Sequence, residues 1–485
     1  MQESLKQRTA KGLFWGAMNS GTTQILNLVF GIFLARLLSP EDYGIIGVLT
    51  IFTAIAADLQ SSGFTQALVN IKKPTARDYN SVFSFNVLMS TTMYIILFLS
   101  APLIALFFHQ SCLVSVSRFV FLGFFIASLS IAHGGYMTKN MMNKEIAIIG
   151  VLALVSSGII GITLAFLGYS YWALAWQQVT YITVTTICRY YYVKEWRPRL
   201  TMDFGPVRSM ASFAIKILVT KIVNTTSGNI LTVIFGHLFP LRAVGNYSQA
   251  FKWDTMAHSL ISNTVGQVAQ TVLVEADNQE QSADNRQHRV FSKMMRFTCF
   301  LAMPVMLGLA LISREFIIIT IGEGWIECVP LLQILCISGA FMPIYIMYQN
   351  LAISNGRSDI FMWLNLCQLG LQIAIVFTFH TYGMQAMVTA YTIFMILWVI
   401  PWQYFAGRLT EYCWKDLGKD VIPFVIATAA SMIATYYITR CIDSPYILII
   451  ARIIIAAIIY YAIMKIVRVK ILAECEHYVY NQLKR

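Results

Sequence analysis

The chain has 485 residues, of which 57% are hydrophobic and only 12% charged, with a mean hydropathy of +0.64. That balance excludes an ordinary soluble domain. Apolar runs of about 20 residues, long enough to cross a bilayer as helix, recur from Gly12 to Val467 without the ten-residue alternation of an outer-membrane barrel. A net charge of +12 invites a nucleic-acid reading, but the placement of the charges follows the membrane, and no nucleic acid is implied.

In chain order, Met1–Lys11 has the charges of a cytoplasmic flank, and the apolar run behind it is too long for a signal-peptide core and lacks a small-residue cleavage site. Helices are then expected at about 12–37, 43–69, 79–108, 114–138, 146–167, 170–192, 206–236, 243–271, 291–312, 326–354, 358–380, 383–405, 420–439 and 445–467. This is an all-α polytopic membrane protein of about fourteen transmembrane helices. The first helix offers Asn19, Thr23 and Asn27 at i, i+4 spacing, with Arg36 at its far end, and the second offers Asp58, Gln60 and Gln66. The eighth carries Gln249, Lys252, Asp254 and His258, with Asp254 and His258 on one face. His258 and His133 are read as hydrogen-bonded packing residues, and the nine scattered cysteines as packing residues outside any disulfide or zinc pattern.

The seventh helix carries the most informative residues. Lys216, Thr220, Lys221, Asn224, Thr225, Ser227 and Gly228 share one broad arc, and Ile215, Val219, Ile222, Val223, Ile230 and Val233 the other. With a rise of about 1.5 Å per residue, Lys216 lies about 15 Å deep and Lys221 near the bilayer midplane. Each such cation disfavours burial by roughly 2.5–3.5 kcal/mol, so the helix is read as the wall of a cationic cavity. The competing reading is that both lysines lie nearer a helix end and snorkel outward.

With fourteen helices both termini share one side, and 26 of the 35 basic residues fall there against five on the other, with four left in the membrane. That asymmetry places both ends in the cytoplasm. The loops on the opposite side are short, and no zinc spacing, nucleophile elbow or phosphate-cradling loop is present, so neither an enzyme nor a metal site is expected. The turn Ser39-Pro40-Glu41-Asp42-Tyr43-Gly44 returns 201 positions later as Pro240-Leu241-Arg242-Ala243-Val244-Gly245, six helices on, and two further matches share a similar offset. An even spacing gives two parallel repeats related by an axis along the membrane normal, with the natural cavity between them. Two pseudo-symmetric six-helix lobes at 1–200 and 201–405, then a helix pair and tail at 406–485, are expected.

Several segments carry a family resemblance: Ala35-Arg36-Leu37-Leu38-Ser39-Pro40-Glu41-Asp42-Tyr43-Gly44, Gly63-Phe64, Gly245-Asn246-Tyr247, and Gly322-Glu323-Gly324-Trp325 leading into Pro330-Leu331-Leu332. On these the chain resembles Wzx-like polysaccharide flippases, in the superfamily that also holds multidrug and toxin extrusion proteins and lipid II flippases. It is particularly similar to the branch of colanic-acid and exopolysaccharide translocases. The resemblance implies alternating access that moves an undecaprenyl-pyrophosphate-linked oligosaccharide across the inner membrane, with membrane lipids and polysaccharide polymerase machinery as partners. Independently, a pyrophosphate and a sugar head need a cationic, hydroxyl- and amide-lined path through hydrocarbon. The cavity candidates are Lys216, Lys221, Asn224, Lys252, Asn27 and Arg36, while Asp58 and Asp254 are candidates either for proton or sodium coupling or for structural ion pairs. No other cofactor is expected. The alternative function is a cation-coupled multidrug exporter, which predicts an acidic cavity, whereas the deep charges here are three lysines against two aspartates.

Overall fold

The structure, a computed structural model, describes the backbone of residues 5–61, 68, 71, 74–201, 203–277, 286–467, 469, 471–474 and 476. Within these stretches some side chains lie outside the description, those of Asn19, Gln60, Lys216 and Thr220 among them. The chain is all-α. The described helices are α1 (Leu5–Leu37), α2 (Pro40–Ser61), α3 (Ala76–Phe107), α4 (Leu113–Lys139), α5 (Asn143–Phe166), α6 (Tyr171–Tyr192), α7 (Gly205–Leu238) and α8 (Leu241–Asp277). They continue with α9 (Arg286–Thr320), α10 (Cys328–Gly339), α11 (Met342–Ser354), α12 (Ser358–Phe379), α13 (Met384–Leu397), α14 (Val399–Thr410), α15 (Trp414–Ile438) and α16 (Pro445–Ile466). Among the described residues ten spans meet a strict length and hydropathy test for crossing a membrane.

Two of the fourteen expected spans are each broken into two helices, for one physical reason. Pro343 and Pro401 lack the N–H that would bond the carbonyls of Gly339 and Leu397, so the helix stops and restarts between α10 and α11 and between α13 and α14. Phe341 N–H bonds Ser338 O and Trp398 N–H also reaches Met395 O, each three residues back, which tightens the turn at each break. Each broken segment still has the length and hydropathy of a single span, over Cys328–Ser354 and Met384–Thr410.

The helices group into two compact units, Met1–Gly245 and Asn246–Arg485. In the first, α4 packs on α3 and α6, α5 on α1 and α6, and α7 on α2 and α3. Grouping by contacts therefore carries α7 with the first unit, whereas the expected repeat boundary at 200/201 precedes it. The segment between α6 and α7 is pinned along the start of α3. Thr201 N–H donates to Ser84 Oγ (2.8 Å), Ser81 Oγ donates to Asp203 O (2.6 Å), and Arg77 Nε donates to the Asp203 carboxylate (2.5 Å). That guanidinium holds the Asp203 carboxyl below the usual carboxylate range. Trp196 closes the same end, buried against Tyr79 and His133.

The turn Ser39–Gly44 is an assembly of local devices. Ser39 N–H and Oγ donate to Asp42 Oδ2 (2.9 and 2.8 Å) and Asp42 N–H reaches back to Ser39 Oγ (3.3 Å), a capping box with Pro40 at the first helical position of α2. Ser170, in the turn between α5 and α6, donates to the other Asp42 oxygen. The repeat-related turns also meet each other. A Cβ on Gly44 would collide with the Leu241 carbonyl, and a Cβ on Gly245 with the Pro40 carbonyl. Arg242 Nη1 lies 3.7 Å from Glu41 Oε1 over this contact.

In the second unit, two charged networks tie α15 and α16 to α9. Asp420, fully buried, accepts from Arg296 Nε (2.5 Å), Ser292 Oγ (2.5 Å) and Tyr412 OH (2.9 Å). Arg452, in the middle of the apolar α16, donates to Glu315 Oε2 (2.7 Å) and to Leu311 O (3.1 Å). A lone charge at these positions would cost several kcal/mol, so each carboxylate offsets the burial of its guanidinium. Of the cysteines, Cys299, Cys328 and Cys336 are core residues, whereas Cys367, Cys413 and Cys441 are exposed and have no packing role.

Candidate functional site

The candidate site of the first unit is built on α7. The helix opens with Pro206 in its first turn, directly after the pinned connecting segment. Its expected apolar arc presents Ile215 (54% exposed) and Val219 (49%), side chains suited to lipid. Lys221 and Asn224 are exposed on the polar arc, while Leu231, Ile234 and Phe235, nearer the far end, are buried. Lys216 lies on the described helix, but its side chain falls outside the described set.

Thr225 Oγ1 donates to Asp58 Oδ2 on α2, which joins the polar arc of α7 to one of the two deep aspartates. Asn229 Nδ2, one turn on, donates to Thr225 O at 2.8 Å. The structure thus brings Asp58, Thr225 and the Lys221–Asn224 turn to neighbouring positions. Asn27 is half-buried and Arg36 exposed on α1, whose main packing partner is α5. An exposed lysine and amide beside an anchored carboxylate can hold an anionic, hydroxyl-rich head while the Ile215–Val219 side meets hydrocarbon.

In the second unit α8 carries the polar residues. Asp254 is 3% exposed, and His258 sits one turn on with Nε2 3.9 Å from Asp254 Oδ2. Gly339 of α10 makes room for that carboxyl, since a Cβ there would collide with Asp254 Oδ1. Asp254 Oδ1, His258 Nδ1, both amide atoms of Gln249 and Tyr345 OH have no hydrogen-bond partner among the described residues. Unpaired buried polar atoms cost about 1–3 kcal/mol each, so a packing role alone explains this cluster poorly. Lys252 is half-buried on the same helix.

His133 departs from expectation. It packs its ring against Tyr190 (4.2 Å between centroids) and Trp196 (5.0 Å), but neither nitrogen is hydrogen-bonded among the described residues. Among those residues no group of three or more His, Cys, Asp or Glu side chains could hold a metal ion. Sequence reasoning missed the roles of Glu315, Asp420 and Arg452. Only Arg452 had a readable signal, a cation in the middle of an apolar run.

The family described as "Polysaccharide biosynthesis protein" matches residues 33–330. The chain is 23% identical over 366 residues to the teichuronic acid biosynthesis protein TuaB of Bacillus subtilis, covering 74% of each chain. It is 22% identical over 364 residues to the lipopolysaccharide biosynthesis protein WzxC of Escherichia coli, covering 74% of this chain and 72% of that one. Among solved structures it matches the lipid II flippase MurJ in its inward closed conformation with a TM-score of 0.77, over 95% of this chain and 100% of the other at 14% identity, a likeness of fold.

Proposed function

The chain belongs to the polysaccharide biosynthesis protein family, and from that premise we propose that it flips undecaprenyl-pyrophosphate-linked oligosaccharide repeat units across the bacterial inner membrane by alternating access. The product would feed O-antigen, capsule or exopolysaccharide assembly, with polymerase machinery acting downstream. The observation that carries the reading is the exposed pair Lys221 and Asn224 on a helix otherwise apolar enough to insert. Names among the relatives, teichuronic acid and lipopolysaccharide biosynthesis, support a glycan cargo, and the MurJ-like fold supports a flipping cycle.

In this role Lys216, Lys221, Asn224, Asn27 and Arg36 of the first unit, and Lys252 of the second, serve the anionic head, and no step needs a covalent intermediate. Asp254 with His258 is where a proton or sodium ion would couple to the cycle, and Asp58 is the weaker candidate because Thr225 already engages it. The six-helix lobes of the repeat are the moving parts. The charge asymmetry favours cytoplasmic termini, so a reporter that works only in the cytoplasm, fused to the C-terminus, should be active. A silent reporter with a bright periplasmic counterpart would invert the topology.

The function is tested in a deletion strain. Loss of the protein should stop surface-glycan export and leave the lipid-linked intermediate facing the cytoplasm. Wild type should restore export, and Asp254→Asn should accumulate to wild-type level yet restore little. Unchanged glycan with raised sensitivity to cationic drugs would establish an exporter instead.

A further inference from the structure

Away from α7, the first unit holds a half-open cavity of about 340 Å³ among α1, α4, α5 and α6. At about 30 Å³ per water it has room for a phosphate with several bonded groups. Its cation is Arg189, near the end of α6. The guanidinium lies against Gly134 of α4, where a Cβ would come within 3.3 Å of both Cζ and Nη1. Glycine there leaves the space the guanidinium occupies.

Nη1 reaches the carbonyl and the hydroxyl of Ser130, each at 3.4 Å, and no carboxylate pairs with Arg189 among the described residues. A guanidinium carries five N–H donors, and two long contacts from one nitrogen leave most of them unused. Thr185, one turn earlier and also lining the cavity, has a buried hydroxyl without a partner among the described residues. Ile131, Ile146 and Ile149 add hydrocarbon to the lining of the cavity.

A guanidinium with spare donors, a spare hydroxyl and an apolar wall forms a receptor for a phosphate carried on an amphiphile. Its depth agrees. Gly134 and Thr138 fall in the last turns of α4 and Ile146 in the first turn of α5, beside Lys139 and Lys144, at the basic ends of the helices where lipid phosphates lie.

We propose that the Arg189–Gly134–Thr185 cavity binds the phosphate of a lipid-type amphiphile, as a site separate from the α7 lysines. The phosphate has two natural sources, an anionic phospholipid of the bilayer and the polyprenyl phosphate of a glycan carrier. The site stands without the flipping reading, because its test measures binding rather than transport.

The test uses the purified full-length protein in detergent, with phosphatidylglycerol, undecaprenyl phosphate and inorganic phosphate as separate probes and diacylglycerol and undecaprenol as uncharged controls. Binding is read by native mass spectrometry and folding by thermal melting. Wild type should bind a phosphate amphiphile and neither control. Arg189→Gln should bind about tenfold more weakly or worse, as expected on losing a charge-assisted contact, with Arg189→Lys between the two. Thr185→Val, nearly isosteric, should weaken binding without touching the cation and serves as the second variant should Arg189→Gln fail to fold. Preference for phosphatidylglycerol identifies a resident lipid, and preference for undecaprenyl phosphate identifies the carrier. Binding of inorganic phosphate alone, or equal amphiphile binding by wild type and the variants, overturns the proposal.

Discussion

A valine at Gly245 should leave almost no folded protein, and a valine at Gly44 should do the same. At each position the added side chain meets a backbone carbonyl, Pro40 O in one case and Leu241 O in the other. A flexible side chain could swing aside, but these carbonyls belong to the first turns of α2 and α8 and cannot move without breaking both turns. The capping box of Ser39 and Asp42, and the bond from Ser170 to Asp42, fix one of them in place. Overpacking against ordinary core side chains costs about 1–3 kcal/mol, and here the expected loss exceeds about 4 kcal/mol, enough to unfold most domains. Gly370→Ala is the control, because a Cβ at that helical position meets nothing within 4 Å. Monodispersity and thermal melting after detergent extraction read the outcome. Wild-type melting of Gly245→Val would show that the two turns do not need their close approach.

Replacing Lys221 with Gln should cut glycan export about tenfold or more, and adding Lys216→Gln should all but abolish it, while protein level and melting temperature stay at or above wild type. Lys221 is exposed on the polar arc and holds no ion pair among the described residues. Its charge is an expense to the membrane-inserted helix, of roughly 2.5–3.5 kcal/mol on insertion scales, and removing it should not destabilise the fold. Contact with a pyrophosphate is a different matter. A charge-assisted hydrogen bond is about twice as strong as a neutral one, so each lysine lost should lower transport about tenfold or more. Asn224→Leu tests the amide one turn on and should impair export less than loss of the charge. Variants that misfold yet keep wild-type transport per folded molecule would make the lysines structural.

The transmembrane plan was legible because span length and hydropathy are local properties. Every expected helix has its counterpart among α1–α16, and the two broken ones break at prolines, Pro343 and Pro401, that any reader can see. Two similar turns 201 positions apart could be read from the sequence, but their mutual contact could not. Sequence shows that Gly44 and Gly245 recur, and only the structure shows each pressed against the other turn's backbone. The ion pairs of α9 were invisible for the same reason, since Glu315 and Arg452 are separated by 137 positions and nothing local links them. The polar arc of α7 followed from helical periodicity, whereas the bond from Thr225 to Asp58 depended on which face of α2 it would meet. In the sequence Arg189 is only a basic residue at the end of an apolar run. Its environment comes from Gly134, Ser130 and Thr185, on two helices whose packing the sequence does not specify.

Flipping is measured directly with purified protein in sealed vesicles carrying an undecaprenyl-pyrophosphate oligosaccharide labelled on its sugar, with an impermeant enzyme that modifies only the outward-facing label. With wild-type protein, label initially confined to the inner leaflet should become accessible at a rate that rises with protein per vesicle. With the Lys216→Gln, Lys221→Gln double variant it should stay near the protein-free rate. Equal rates in wild-type, double-variant and protein-free vesicles, from protein shown to be folded, would show that the protein does not flip this lipid-linked glycan.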